Sequence, residues 1–158
     1  MGSPKINLLI ADNNNLGCEG MISLLSKEHH IEIIDSALNG YDLIEKYLDL
    51  RPDVILAEIS LPVLSGTEAI NEIRRMGHNV RSLFISSSST EENICSAIMA
   101  GAMGLINRNC RVSDVVTAIE TVYLGSSYFP GWSKKQINEL LYKYENEDPQ
   151  SLNISVEL

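Results

Sequence analysis

Four side chains able to do charge chemistry stand at the ends of short apolar runs. Asp12 follows Ile6–Ala11, Glu58 follows residues 54–57, Ser86 follows residues 83–85, and Arg108 lies just beyond residues 104–106. Two carboxylates can hold a cation, a hydroxyl can give or take a hydrogen bond, and a guanidinium can grip a carboxylate with its planar fork. Because they are far apart in the chain, these groups make a site only if the fold gathers them. Other candidates are weaker. His29 and His30 have no acidic or sulfur residue at ligand spacing and read as a solvated turn. Cys18, Cys95 and Cys110 are an odd, sparse set that fits neither a disulfide framework nor a zinc site. Cys18 and Cys95 fall on apolar helix faces, and the role of Cys110 stays open.

The apolar runs alternate with stretches of helical period. Behind the first run, Cys18, Met21, Ile22 and Leu25 recur at i, i+3, i+4 and i+7. Residues 31–38 read as a second strand, and a turn at Asn39-Gly40 leads to a helix with Leu43, Ile44, Tyr47 and Leu48 on one face. A third unit joins residues 54–57 to a helix carrying Ala69, Ile70 and Ile73. Arg74 and Arg75 complement the dipole near its end, and Gly77 closes it. A fourth joins residues 83–85 to Ile94, Ala97 and Ile98, with Thr90 capping the helix ahead of Glu91 and Glu92. A fifth joins residues 104–106 to Val112, Val115, Val116, Ile119, Val122 and Tyr123. Strands without polar alternation, each followed by a helix, predict a flavodoxin-like, doubly wound α/β fold. This is (βα)5, a five-stranded parallel sheet covered on both faces. The functional crevice of such a sheet lies beyond the carboxyl ends of its strands. Asp12, Glu58, Ser86 and Arg108 therefore converge on one rim.

Composition narrows the function. The chain has 158 residues, 44% hydrophobic and 21% charged, as expected of one globular domain with a short appendage. A formal net charge of -9 repels a phosphate backbone, so no DNA binding is expected of this chain alone. No apolar stretch is long enough for a signal peptide or a membrane span, and a cytoplasmic location without membrane contact is expected. There is no glycine-rich phosphate loop and no nucleophile–base pair, which argues against a flavodoxin-like enzyme.

Local motifs say more. Ile10-Ala11-Asp12-Asn13, continued by Leu16, Glu19, Gly20 and Met21, resembles the acidic-pair loop and first helix of receiver domains of LuxR/NarL-type response regulators. Leu38-Asn39-Gly40 resembles their second-helix entry. Residues 51–66, from Arg51-Pro52-Asp53 through Glu58 to Leu61-Pro62 and Ser65-Gly66, are similar to the phosphoacceptor strand and its proline-containing loop. Ala100-Gly101-Ala102-Met103-Gly104-Leu105-Ile106-Asn107-Arg108 resembles the segment presenting the active-site lysine. The resemblance covers residues 5–128 and implies a module of two-component signal transduction. In that family a paired acid binds a divalent cation, an Asp takes the phosphoryl group, and a Thr or Ser and a Lys respond. Metal and cationic clamp hold charge in place while the anionic group moves.

Against that pattern Asp12 and Ser86 fit, and three positions depart. Glu58 stands at the phosphoacceptor position, Asn13 replaces the second acid, and Arg108 replaces the lysine. A Mg²⁺ site built from Asp12, Glu58 and the backbone carbonyl near Ser60 loses one negative charge at Asn13, so metal binding is expected to be weak or absent and no other cofactor is implied. Glu58 is longer than Asp by one methylene, about 1.5 Å. It can project its carboxylate toward the space of an aspartyl phosphate, with one charge against the phosphate's roughly 1.5 to 2. Arginine suits a carboxylate better than lysine does, so a contact between Glu58 and Arg108 is expected; the alternative is an Arg108 extended into solvent. Leu105 stands where the family carries an aromatic, which argues against an aromatic rotamer switch. Three readings stay open: a phosphorylation-independent regulatory module, a receiver phosphorylated through Glu58 by a histidine kinase or small phosphodonor, and a degenerate rim whose polar residues are merely solvated.

The end of the chain differs in character. With residues 4–128 as the receiver unit, residues 129–158 form an appendage. Its aromatic turn, Tyr128-Phe129-Pro130-Gly131-Trp132, precedes a helix capped by Ser133, with Ile137, Leu140, Leu141 and Tyr144 on one face. That face needs a partner: the domain itself, a second copy, or another domain. Glu145 to Ser151 reads as an acidic linker. In the family a DNA-binding domain follows here, so a fragment of a transcription regulator is favoured over a stand-alone receiver. Expected partners are a second copy in a homodimer and a histidine kinase or other regulatory protein.

Overall fold

Burial along the strands sets the architecture. In β1 (Ile6–Ala11), Leu8 and Ile10 point to one side and Leu9 and Ala11 to the other, and all four are buried. The same holds for β3 (Val54–Glu58) and β4 (Ser82–Ser86), so both faces of the sheet must be covered by helices. The computed structural model describes residues 5–13 and 15–147, without the side chains of Asn15, Leu16 and Glu147. The remaining elements are α1 (Asn15–Leu25), β2 (Ile31–Ala37), α2 (Gly40–Leu50), α3 (Gly66–Arg75), α4 (Glu91–Met99), β5 (Gly104–Asn107), α5 (Val112–Tyr123) and α6 (Lys134–Glu147). All strand pairs are parallel, in the order β2-β1-β3-β4-β5, which is the doubly wound flavodoxin-like arrangement. Two apolar clusters result. One joins Leu9, Ile55, Phe84 and Leu105 to α2, α3 and α4; the other joins Leu8, Leu56, Ile85 and Ile106 to α1 and α5.

Local chemistry explains the helix ends. Asn39 is the N-cap of α2 rather than part of a turn, accepting the Asp42 N–H at 2.8 Å, and Leu38 lies outside β2, half exposed. Ser65 and Glu68 form a reciprocal capping box on α3, and Gly77 closes that helix at φ 93°. Thr90 caps α4 by accepting the Asn93 N–H at 3.2 Å. Arg74 serves another helix's end: its guanidinium donates to the Ala100 carbonyl, at the end of α4, at 3.1 Å.

Several expectations change in three dimensions. His30 does have an acidic partner, Glu120 of α5, with Nε2 2.7 Å from its carboxylate, a contact that sequence spacing cannot reveal. Glu145, Asn146 and Glu147 belong to α6 rather than to a linker; residues 148–158 lie outside the described residues. The apolar face of α6 packs back on the domain against α4. Leu140 is buried, Leu141, Tyr144, Phe129 and Trp132 join the same cluster, and Lys143 lies 3.8 Å from Glu91. Ser133 and Gln136 cap α6 reciprocally. At the outer side of β5, Tyr128 bridges Gly104. Its N–H donates to Met103 at 2.8 Å and its carbonyl accepts from Leu105 at 3.1 Å.

Candidate functional site

Register brings the acids together. Ala11 pairs with Ala57 across β1 and β3, so Asp12 and Glu58 emerge side by side at the point where strand order reverses. Ser86 pairs with Asn107 across β4 and β5, and the Arg108 N–H continues the ladder by donating to the Ser86 carbonyl at 2.8 Å. Arg108 thereby starts from the far side of the crevice and reaches back across it.

Its guanidinium straddles both carboxylates. Nη1 donates to Asp12 Oδ2 at 3.0 Å, and Nη2 lies 3.3 Å from Glu58 Oε1. The expected approach of Arg108 to Glu58 is present, but the fork is divided between two acids instead of gripping one bidentately. The Glu58 contact is a charge pairing without hydrogen-bond alignment. Arg108 Nη2 and Glu58 Oε2 are buried atoms with no hydrogen-bond partner among the described residues. Asp12 is nearly fully enclosed, with 1% of its surface exposed. Burial, and then the adjacent Asp12 charge, raise the pKa of Glu58 above the ordinary glutamate value; Arg108 opposes the shift without cancelling it.

Two glycines fix the height of Glu58. A Cβ on Gly66 would lie 2.2 Å from the Glu58 carbonyl oxygen, and one on Gly40 would lie 2.2 Å from that of Leu64, so the loop from β3 to α3 can close this tightly only over glycine. Between them Val63 adopts φ 67° in a three-residue turn closed by the Leu64 N–H on the Pro62 carbonyl at 2.7 Å. A β-branched residue rarely takes that conformation.

The other rim residues separate from this charged group. Asn13 and Ser60 are exposed. Ser86 is buried, and its hydroxyl accepts from the Ser88 N–H at 3.3 Å and from Asn93 Nδ2 at 3.2 Å. Leu105 is buried in β5. Sequence reading missed two partners, the Asp12 end of the Arg108 bridge and Asn93. The second had a local signal, since Asn93 stands three residues after the Thr90 cap, where a side chain leans back over the helix N-terminus. Burial raises the thiol pKa of Cys18, Cys95 and Cys110, which makes all three poor nucleophiles. Among the described residues no group of three or more His, Cys, Asp or Glu side chains is placed to hold a metal, and no helix is long and apolar enough to cross a membrane.

A parallel sheet wound in this order, with acids gathered where its strand order reverses and a cation reaching them from β5, defines a receiver-type α/β module. Comparison with known proteins agrees: the chain belongs to the response regulator receiver domain family, which matches residues 8–120. It is 35% identical over 126 residues to the transcriptional regulatory protein MctR of Rhizobium johnstonii, covering 80% of this chain and 59% of that protein. It is 30% identical over 125 residues to LnrK of Bacillus subtilis, covering 79% and 57%. The chain thus spans less than two thirds of these relatives, which are regulatory proteins by name. In structure it is similar to the signal receiver domain of a NarL-type regulator from Mycobacterium tuberculosis, with TM-score 0.75, 23% identity, and 78% and 99% of the two chains covered. A LuxR-family response regulator from Aurantimonas gives TM-score 0.76 at 20% identity, covering 89% and 98%.

Proposed function

We propose that this chain is an atypical receiver of the LuxR/NarL type, in which an internal guanidinium holds the rim in one state and signalling runs through protein contacts rather than through phosphorylation. The observation that carries this reading is Arg108 bridging Asp12 at 3.0 Å and Glu58 at 3.3 Å. A divalent cation in this crevice would need the same carboxylate oxygens, with neutral Asn13 as the remaining side chain. The residues present therefore do not fit the family's metal. Glu58 then works as a fixed single charge at the phosphoacceptor position, with Ser86 as the neighbouring hydroxyl.

The relatives' names and greater length support a place as the receiver unit, residues 4–128, of a transcription regulator, with residues 129–158 leading toward a DNA-binding part. The acidic chain itself is not the DNA-binding surface. Partners on this reading are a second copy of the chain and a regulatory protein, in the cytoplasm. The test is incubation of the purified chain with acetyl phosphate, or with beryllofluoride, in Mg²⁺, beside a Glu58→Asp variant. The expected result is no mass change and no beryllofluoride binding in the natural chain. Modification of Glu58 at the rate of an ordinary receiver overturns the reading.

A further inference from the structure

We propose that Asn93 is a positioning residue that pins the Ser86 hydroxyl to the first turn of α4 and thereby ties the rim to the docking of α6. The carboxamide nitrogen of Asn93 faces three oxygens: Ser86 Oγ at 3.2 Å, the Ser88 carbonyl at 2.9 Å and Ser88 Oγ at 3.1 Å. A carbonyl only accepts, so the NH₂ end of the amide must be the end that points there. Two N–H bonds shared among three acceptors make a compact knot. The Ser88 N–H adds a second bond to Ser86 Oγ, and Thr90 holds the Asn93 N–H from the other side.

The same turn of α4 also meets α6. Glu91 lies 3.8 Å from Lys143, and Ile94 and Cys95 share a buried cluster with Leu140, Leu141 and Tyr144. One short turn thus carries the rim hydroxyl on its inside and α6 on its outside. Leu105 is buried in β5 and offers Ser86 no polar side-chain atom, so the Asn93 amide is the group that links the rim hydroxyl to α4. The inference deepens the reading above: in a rim not reset by phosphoryl transfer, α6 responds to whatever changes the hydrogen bonding of Ser86.

The test is amide hydrogen exchange of α6 in the intact chain, without phosphodonor or Mg²⁺, for Asn93→Asp, Ser86→Ala and the double variant. Aspartate keeps the shape of asparagine, removes both donors and suits a helix N-terminus, so a role confined to helix capping predicts no loosening from it. The positioning role of Asn93 predicts about three- to tenfold faster α6 exchange in each single variant, the worth of one hydrogen bond, and no further increase in the double variant. Unchanged α6 exchange in the single variants, or effects that multiply in the double variant, overturns it. Ser86→Ala alters one buried oxygen and serves alone if Asn93→Asp does not fold. Failure here leaves the acetyl phosphate result standing, and modification of Glu58 leaves the exchange result standing.

Discussion

The two halves of the rim solve the same problem differently. Between β1 and β3, three ionisable groups meet, with Arg108 dividing its fork between Asp12 and Glu58 and leaving one nitrogen and one carboxylate oxygen without hydrogen bonds among the described residues. Between β4 and α4, neutral groups meet, and the Ser86 hydroxyl and the Asn93 amide are satisfied within one loop and one turn. The charged half depends on long-range register, and removing one member strands another charge in a poorly solvated place. The neutral half is local, and losing one member costs about one hydrogen bond.

Arg108→Ala should have the largest effect on the charged half. With no cation between Asp12 and Glu58, the chain should lose about 3 kcal/mol in urea denaturation. Mg²⁺ should then stabilise the variant more than the natural chain, because the carboxylates are freed for it; equal Mg²⁺ responses would sink the idea that Arg108 stands in the cation's place. Gly66→Ala comes next. Its Cβ meets the Glu58 carbonyl oxygen at 2.2 Å, so a loss of about 2 kcal/mol is expected together with a displaced Glu58.

Thr90→Ala sharpens the neutral side: loss of one N-cap should cost about 1 kcal/mol and leave the Arg108 bridge intact, which chemical shifts of the Arg108 guanidinium would show. Glu58→Gln should have the smallest effect, because Arg108 keeps its hydrogen bond to Asp12 and the charge removed is one that burial already disfavours. Since its folded pKa is raised, the stability linked to its proton is fully present below the unfolded-state pKa and lost as pH rises through the folded one. A permanently neutral Gln escapes that loss. Denaturation midpoints of variant and natural chain should converge in acid and separate in favour of the variant as pH rises; a constant difference across the range would refute the raised pKa.

Much of this was legible in the chain. Apolar runs followed by i, i+3, i+4 periods place five strands and five helices, and residues just past each run mark the rim, because side-chain periodicity is a local property. What stayed hidden depends on partners distant in sequence. That Arg108 reaches Asp12 as well as Glu58 follows from β1 and β3 being neighbours in register. That His30 meets Glu120 follows from the docking of α5 beside the start of β2. The face of α6 was visible in Ile137, Leu140, Leu141 and Tyr144, but an amphipathic stripe states only that a partner exists, and α4 emerged as that partner only in the folded chain. Asn93 was missed for another reason: a polar residue in a first helical turn looks like ordinary capping until the loop curling over it is seen.

The pairing of Tyr128 with Gly104 has a consequence for self-association. An outer strand with free N–H and C=O groups invites another chain to extend the sheet. Here β5 is four residues long and already engaged by Tyr128, while the opposite border, β2, presents exposed Glu32 and Asp35. Both margins discourage strand addition, so neither border of the described sheet offers a ready template for a second chain.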